Sequence, residues 1–449
     1  MKYKSGSLII FLAKTTLVFV ILALFFAGQR HFYEETLYYF WGNNILVALY
    51  AAILYLSSRI YNGFNFGNTS IQEIILTWVL SLLVTNVFQY FILSLLDDRM
   101  LSVFGFLAIF AVQLIFIIPM AIVINILYYL LNPAHDAVVI YGNYEKLCDF
   151  RSIIEKQRKR FVIKHVVSQH ESLGNLLNMI NESQSVFFLE VDEKKQEGLL
   201  EYCYLNDKHT YVLPSFSRIL INTAGTLWLS HTPVFSLKTP APDMGTLLIK
   251  RLIDILVSVA VILLTGWLMI GIALAVRLYD KHPAIYKQVR VTRNGKRFTL
   301  LKFRSMRPNA EDDGVPRLMA IDDDRITPFG RFIRKTRLDE LPQMFNVLSG
   351  SMSIVGPRPE RPEIAAQYEE IYPNFAFRTK VKAGITGFAQ IFGRYNTAPE
   401  EKLFLDIMYI ETFSILQDIK LMLQTIRVIF IPSSAEGIEH DSATALRDE

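Results

Sequence analysis

Five apolar runs, at about 7–27, 43–60, 73–96, 104–131 and 252–277, constrain this 449-residue chain more than any other feature. Each comes close to the ~20 residues that a helix needs to cross a bilayer. A hydrophobic content of 52% and a mean hydropathy of +0.29 agree with a membrane protein, and the length leaves room for two further compact units.

Lys2 and Lys4 precede the first run and Phe26-Ala27-Gly28 follows it, as in a cleaved leader. The run is longer than a signal core and contains Lys14, so it reads as a retained helix. Lys2 and Lys4, Arg59 in the second loop, and Asp97 and Asp98 beside Arg99 in the third favour a cytoplasmic N-terminus. Four spans then return the chain to the cytoplasm. The formal charge of +4 implies no general polyanion-binding surface and no nucleic-acid partner. Cys148 and Cys203 are too few for a disulfide framework or a Cys-based zinc site.

From 134 to 239 short apolar strands, at 137–141, 161–167, 185–191 and 210–213, alternate with helical stretches, the pattern of a small parallel α/β domain. Gly142 stands where a dinucleotide fold places its phosphate loop. No Gly-x-Gly-x-x-Gly follows, so a degenerate Rossmann-like domain without nucleotide is expected.

Further on, Ala284 to Tyr286 reads as a strand, and Gln288, Arg290, Asn294-Gly295 and Phe298 as a hairpin leading into Lys302-Phe303-Arg304. Alternation puts Lys302 and Arg304 on one face, either to meet a diphosphate or as a solvated edge. Asp322-Asp323-Asp324 could be mistaken for an acidic metal motif and reads better as a solvated loop or helix start. Asp339 and Glu340 are adjacent, so on a helix they diverge by about 100° and take different tasks. One carboxylate can attack phosphorus while the other holds a hard divalent cation; a helix-terminal acidic pair before Pro342 is the plain alternative. The prolines of Gly356-Pro357-Arg358-Pro359 stiffen a turn that projects Arg358, whose planar guanidinium suits phosphate oxygens.

Lys250-Arg251-Leu252-Ile253-Asp254, Lys302-Phe303-Arg304-Ser305-Met306, Leu338-Asp339-Glu340-Leu341-Pro342-Gln343, Gly356-Pro357-Arg358-Pro359 and Gly384-Ile385-Thr386-Gly387 occur in this order. Together they resemble the bacterial sugar transferases, the polyprenyl-phosphate phosphoglycosyl transferases, in their large membrane-spanning form. The likeness is densest from Lys250 to Thr425; before it, only the architecture is similar. It departs at Ala383, where the family has Pro, and at Phe388, often Trp.

The resemblance implies a four-helix transmembrane bundle (1–133), the Rossmann-like α/β domain (134–239) and a mixed α/β catalytic domain (240–432) with a re-entrant membrane helix at about 248–278. A disordered acidic tail, 433–449, would follow. The family breaks its re-entrant helix with Ser-Pro; here the place reads Leu264-Thr265-Gly266-Trp267, where Thr265 can still aid a bend. Lys250 and Arg251, four and three residues before Asp254, can reach its carboxylate as a membrane anchor, attract anionic head groups, or do both. By resemblance Asp339 is the nucleophile and Glu340 the Mg2+ ligand, with Asp339 beside it. Arg358, Lys302, Arg304, Arg337 and Gln343 are expected to meet substrate. Residues 402–430 read as helix, lying on the membrane surface or in the core.

The implied reaction moves a hexose-1-phosphate from a UDP-sugar to a polyprenyl phosphate and releases UMP, as the first step of an exopolysaccharide, capsule or O-antigen. It takes place at the cytoplasmic face of the bacterial inner membrane, and family analogy admits a homodimer. Two other readings stand beside it: a membrane-anchored sensor or scaffold with an inactive catalytic-like domain, and an inverting glycosyltransferase using Asp322 to Asp324, which would release UDP.

Overall fold

The computed structural model describes residues 2–33, 41–67, 69–237, 242–307, 325–393 and 398–429. The chain divides into two compact units, Met1–Leu213 and Pro214–Glu449. The first opens with four long helices, α1 (Lys2–Phe32), α2 (Gly42–Ile60), α3 (Ile71–Leu96) and α4 (Val103–Leu131). Ser70 caps α3 by accepting from the Glu73 amide at 3.3 Å. Leu17, Ile21, Tyr50, Leu54, Trp78 and Leu82 fill the interior, while Phe11, Phe19, Phe88 and Ile115 stay on the outside. All four helices are long and apolar enough to cross a membrane. Three polar side chains inside the bundle pair with one another, Asn86 with Gln113 at 2.7 Å and Gln113 with the Tyr50 hydroxyl at 2.9 Å. Lys14, the lone charge of the first run, donates to the Phe64 carbonyl at 2.7 Å in the loop between α2 and α3.

The same unit continues as β1 (His135–Tyr141), α5 (Tyr144–Glu155), β2 (Phe161–Ser168), α6 (Leu173–Glu182), β3 (Ser185–Leu189), α7 (Glu193–Leu205) and β4 (His209–Val212). The strands are parallel in the order β2-β1-β3-β4, with an apolar cluster on each face. Gly142 follows β1 where two backbones come close. A Cβ there would lie 2.1 Å from the Glu190 carbonyl, so this glycine lets two backbones meet at the end of β3. Gln169 closes the same edge by accepting from the Asp192 amide at 2.8 Å.

The second unit begins 26 residues before the expected boundary at 239/240, with α8 (Phe216–Thr223) and the hairpin of β5 (Gly225–Leu229) and β6 (Thr232–Ser236). Ile219 joins the core of this unit, and Phe216 stacks on Phe377. Helix α9 (Met244–Asp280) follows, 37 residues or about 55 Å long. It is not broken at Leu264–Trp267. Thr265 does bond back to the Val261 carbonyl at 2.7 Å, but without a proline no amide is lost and no ring clashes, so the helix runs on. One face, Asp254, Ser258, Met269, Ile272 and Val276, is buried. The opposite face carries Leu252, Leu256, Leu263, Trp267, Ile270, Leu274 and Leu278, exposed in one stripe of helical period.

Beyond α9, β7 (Ile285–Val291) and β8 (Arg297–Phe303) form the expected antiparallel hairpin, with Asn294 and Gly295 left-handed at its turn. The remainder is α10 (Pro328–Lys335), α11 (Gln343–Leu348), β9 (Ser353–Val355), α12 (Pro362–Ile371), β10 (Gly384–Thr386), α13 (Phe388–Phe392), α14 (Pro399–Glu411) and α15 (Ile415–Ile429). The predicted helix over 402–430 is thus two. Ser414 accepts from the Gln417 amide at 3.2 Å and starts the second, after Thr412 has ended the first. Leu403, Ile407, Ile410 and Leu421 from this pair lie in the core with Val347, Ile354 and Phe375. Each such side chain contributes about 1.5–3 kcal/mol by leaving water. The acidic tail and Asp322-Asp323-Asp324 lie outside the described residues, as does Arg394-Tyr395.

Candidate active site

The carboxylate pair sits on a single tight turn. Thr327 caps α10 by accepting from the Gly330 amide at 3.0 Å, and Arg337 ends that helix by taking a left-handed conformation, φ 55°. A 3-10 turn, Leu338–Glu340, follows at once. Leu338 and Leu341 pack with Phe303, Ile333, Met269 and Ile272, so Asp339 and Glu340 are held between two apolar pegs. With three residues per turn the two carboxylates point about 120° apart.

Their surroundings differ as sharply as their directions. Glu340 Oε1 accepts from Lys302 Nζ at 3.0 Å and from Arg358 Nη2 at 2.9 Å, and its Oε2 lies 4.0 Å from Arg337 Nη1. Burial alone would raise this carboxyl, but Lys302, then Arg358 and Arg337, outweigh it and hold it well below the ordinary range. Asp339 is 7% exposed and has neither hydrogen bond nor ion pair among the described residues. Burial raises its carboxyl; Lys302 opposes this and the Glu340 charge adds to it. Burial lowers the Lys302 ammonium, against the pull of Glu340. The result is one carboxylate fixed as an anion among cations, beside a buried neighbour that none of them meets within ion-pair distance.

Arg358 reaches this pair from a loop whose backbone is tied at every residue. Gly356 N bonds Thr386 O at 2.8 Å, and Gly384 N bonds Pro357 O at 2.8 Å. The Arg358 carbonyl accepts from Arg378 Nη2 at 2.9 Å, the Pro359 carbonyl from Arg290 Nη1 at 3.0 Å, and the Glu360 carbonyl from Val291 N at 3.0 Å. A Cβ on Gly384 would lie 2.1 Å from Gly356 N, which is why β9 and β10 can run this close.

Of the residues expected to meet substrate, Lys302, Arg358 and Arg337 converge on Glu340. Arg304 does not join them; its Nε donates to the Pro283 carbonyl at 3.0 Å, as the strand turns away at the hairpin's open end. Gln343 is buried at the start of α11, and no hydrogen bond joins it to the carboxylates. Lys250, Arg251 and Asp254 do not pair with one another and do not face outward. Asp254 accepts from Ser353 Oγ at 3.0 Å and Ile354 N at 2.9 Å. Arg251 donates to the Val347 and Leu348 carbonyls at 2.6 and 2.7 Å, capping the C-terminus of α11. Lys250 pairs with Asp418 and donates to the Val355 carbonyl at 3.1 Å. Asp254 and Lys250 dock α9 onto the strand that leads to Arg358, and Arg251 docks it onto α11.

Sequence reasoning missed Arg378, Glu360 and Asn346, and read Arg290 only as part of the hairpin. Asn346 binds the open edge of β8, accepting from Leu301 N at 3.0 Å and donating to Thr299 O at 2.8 Å. Asp406 falls within the predicted helix over 402–430, a polar residue among apolar ones. It is in fact 1% exposed, on the buried face with Leu403, Ile407 and Ile410, where a carboxylate requires a partner; that partner is Arg378.

Residues 245–432 match the family model described as bacterial sugar transferase. The chain is 37% identical over 197 residues to an uncharacterized sugar transferase, EpsL, of Bacillus subtilis (strain 168), covering 44% of this chain and 95% of that protein. It is 40% identical over 213 residues to a UDP-glucose:undecaprenyl-phosphate glucose-1-phosphate transferase of Klebsiella pneumoniae, covering 46% of this chain and 45% of the other. A UDP-N-acetylgalactosamine-undecaprenyl-phosphate N-acetylgalactosaminephosphotransferase of Aeromonas hydrophila is 36% identical over 237 residues, 52% of this chain and 55% of that one. The match spans about half the length of the Klebsiella and Aeromonas proteins. It takes in the whole carboxylate turn, the Arg358 loop and α9, and on that ground the chain belongs to the bacterial sugar transferase family.

Proposed function

We propose that this protein transfers a sugar-1-phosphate from a UDP-sugar to a polyprenyl phosphate, the initiating step of a bacterial surface polysaccharide. The observation that carries this reading is the pairing of an unpartnered buried Asp339 with a Glu340 ringed by Lys302, Arg358 and Arg337. Asp339 attacks the sugar-bearing phosphorus, the bond to the UMP oxygen breaks, and UMP leaves. An oxygen of the lipid phosphate then attacks the aspartyl phosphosugar, and Asp339 is freed. Lys302 and Arg358, already facing the turn, neutralise charge on the transferred group and the departing nucleotide.

Hard divalent cations such as Mg2+ take one or two carboxylates together with substrate phosphates. Asp339 has free lone pairs, and Glu340 Oε2 lies 4.0 Å from Arg337 Nη1, beyond hydrogen-bond distance, so these oxygens fit such an ion. It would supply further charge neutralisation to the diphosphate.

The catalytic domain would meet the cytoplasmic face of the inner membrane through α9. Both ends of that helix touch one domain, Asp254 at Ser353 and Ile354, and Met269, Ile272 and Val276 at Phe303 and Ile333. A continuous helix that meets one domain on both sides of its middle lies along a membrane face, with its exposed apolar stripe in lipid. The site is thereby presented to a soluble donor and a lipid acceptor at once.

The test is the nucleotide released by purified protein given UDP-sugars and undecaprenyl phosphate. UMP is expected. UDP as the product would overturn the reading in favour of direct glycosyl transfer.

A further inference from the structure

Behind Arg358 lies a buried ionic cluster that touches neither carboxylate of the catalytic turn. Arg378 is 5% exposed. Its Nε donates to Asp406 Oδ2 at 3.0 Å and its Nη2 lies 2.7 Å from the same oxygen; its Nη1 lies 3.4 Å from Glu360 Oε1, and the Phe375 ring sits beneath it, 4.7 Å from the guanidinium carbon. Nη2 also donates to the Arg358 carbonyl at 2.9 Å. Arg290 completes the arrangement from the other side, bonding the Pro359 carbonyl at 3.0 Å with Glu360 Oε2 at 3.9 Å.

A buried ion pair adds little net stability compared with well-packed apolar side chains, because both charges must be stripped of water. Its use here is geometric. Proline rings fix φ on either side of Arg358, and the arginines and Val291 fix the carbonyls of three consecutive residues, 358 to 360. The Arg358 side chain itself is 40% exposed and meets Glu340 Oε1 through Nη2, and the backbone that carries it sets the point from which it reaches.

We propose that Arg378, oriented by Asp406, is a positioning residue for Arg358. By holding the Arg358 carbonyl it sets the angle at which that guanidinium meets Glu340 and the donor phosphate, and it touches no substrate itself. The inference rests on the phosphosugar-transfer reading for its kinetic consequence and on geometry alone for its structural one.

R378K keeps the charge opposite Asp406 and loses the planar fork that reaches both Asp406 and the carbonyl. In full-length protein that releases UMP, it is expected to lower kcat on the order of 10- to 100-fold, the scale of a misplacement of about 1 Å, with donor KM changed less than about threefold. In an R358A background the same change is expected to alter kcat less than about twofold, because the group it aims is gone. An equal loss in both backgrounds overturns the proposal, since a purely structural role acts regardless of Arg358. D406N should give the same pattern and serves if R378K does not fold. If the parent protein releases no UMP, the catalytic reading fails by itself; the structure of R378K then decides the inference. An Arg358 guanidinium still within hydrogen-bond distance of Glu340 overturns it, and one swung away supports it.

Discussion

Lys302 Nζ lies 3.0 Å from Glu340 Oε1, a contact that joins the last turn of a hairpin strand to a 3-10 turn 38 residues later. It does more than neutralise Glu340. Lys302 is also the principal cation opposing the burial of Asp339, so a single ammonium acts on the ionisation of both neighbours.

The pH dependence follows from that arrangement. Asp339 must be ionised to attack, and burial raises its carboxyl, so turnover should fall as pH drops through a value above the ordinary ~3.9 for aspartate. Replacing Lys302 with Met removes the opposing cation, and the acid limb of kcat against pH should move upward. A limb that stays put or moves down contradicts the assignment. For stability the signs differ between the two carboxyls. Glu340, depressed, contributes stability above its unfolded pKa that is lost as pH falls through its folded one; Asp339, raised, contributes below its unfolded pKa and loses this as pH rises.

Asp339→Asn should reduce turnover by about 10³-fold or more, the scale of losing a covalent nucleophile. Mass spectrometry of the parent protein incubated with donor alone should find a phosphosugar on the peptide containing Asp339, absent from the variant. Retained turnover in the variant would remove Asp339 from the mechanism.

Asp254→Ala strands the Ile354 amide and the Ser353 hydroxyl in the interior. Hydrogen bonds to a charged group are worth about 1.5–3 kcal/mol each, so the loss should show as a clear drop in the denaturation midpoint of protein in detergent. Were Asp254 instead a lipid-facing charge, its removal would leave that midpoint unchanged.

Cysteines placed at Met244 and Tyr279, the exposed ends of α9, should react with an impermeant maleimide from the same side of oriented membrane vesicles, after Cys148 and Cys203 are replaced. Labelling from opposite sides would mean that α9 crosses.

The candidate site was legible in the sequence where its parts are local. Asp339-Glu340, Arg358 between prolines, and the Asn294-Gly295 turn each stand out within a few residues. What the sequence hid was long-range pairing. Arg251 caps a helix 96 residues away, and Arg378 and Asp406 find each other across 28 residues, contacts that no periodicity encodes. Alternation put Arg304 on the same face as Lys302, and only the turn at Pro283 shows that a shared face need not mean a shared target. Ala383, a departure from the family's proline, has a local explanation visible only in three dimensions: its amide donates to Thr292 Oγ1 at 3.1 Å, a bond proline lacks the hydrogen to make.

The Glu190 carbonyl against Gly142 has a bearing on any attempt to engineer the middle sheet. Installing the missing glycines of a dinucleotide fingerprint would not by itself create a cofactor pocket, since the doorway is walled off by main chain rather than by a bulky side chain. Opening it would require rerouting the bend after β3, where Glu190 is held with φ 48°, before any pyrophosphate had room to enter.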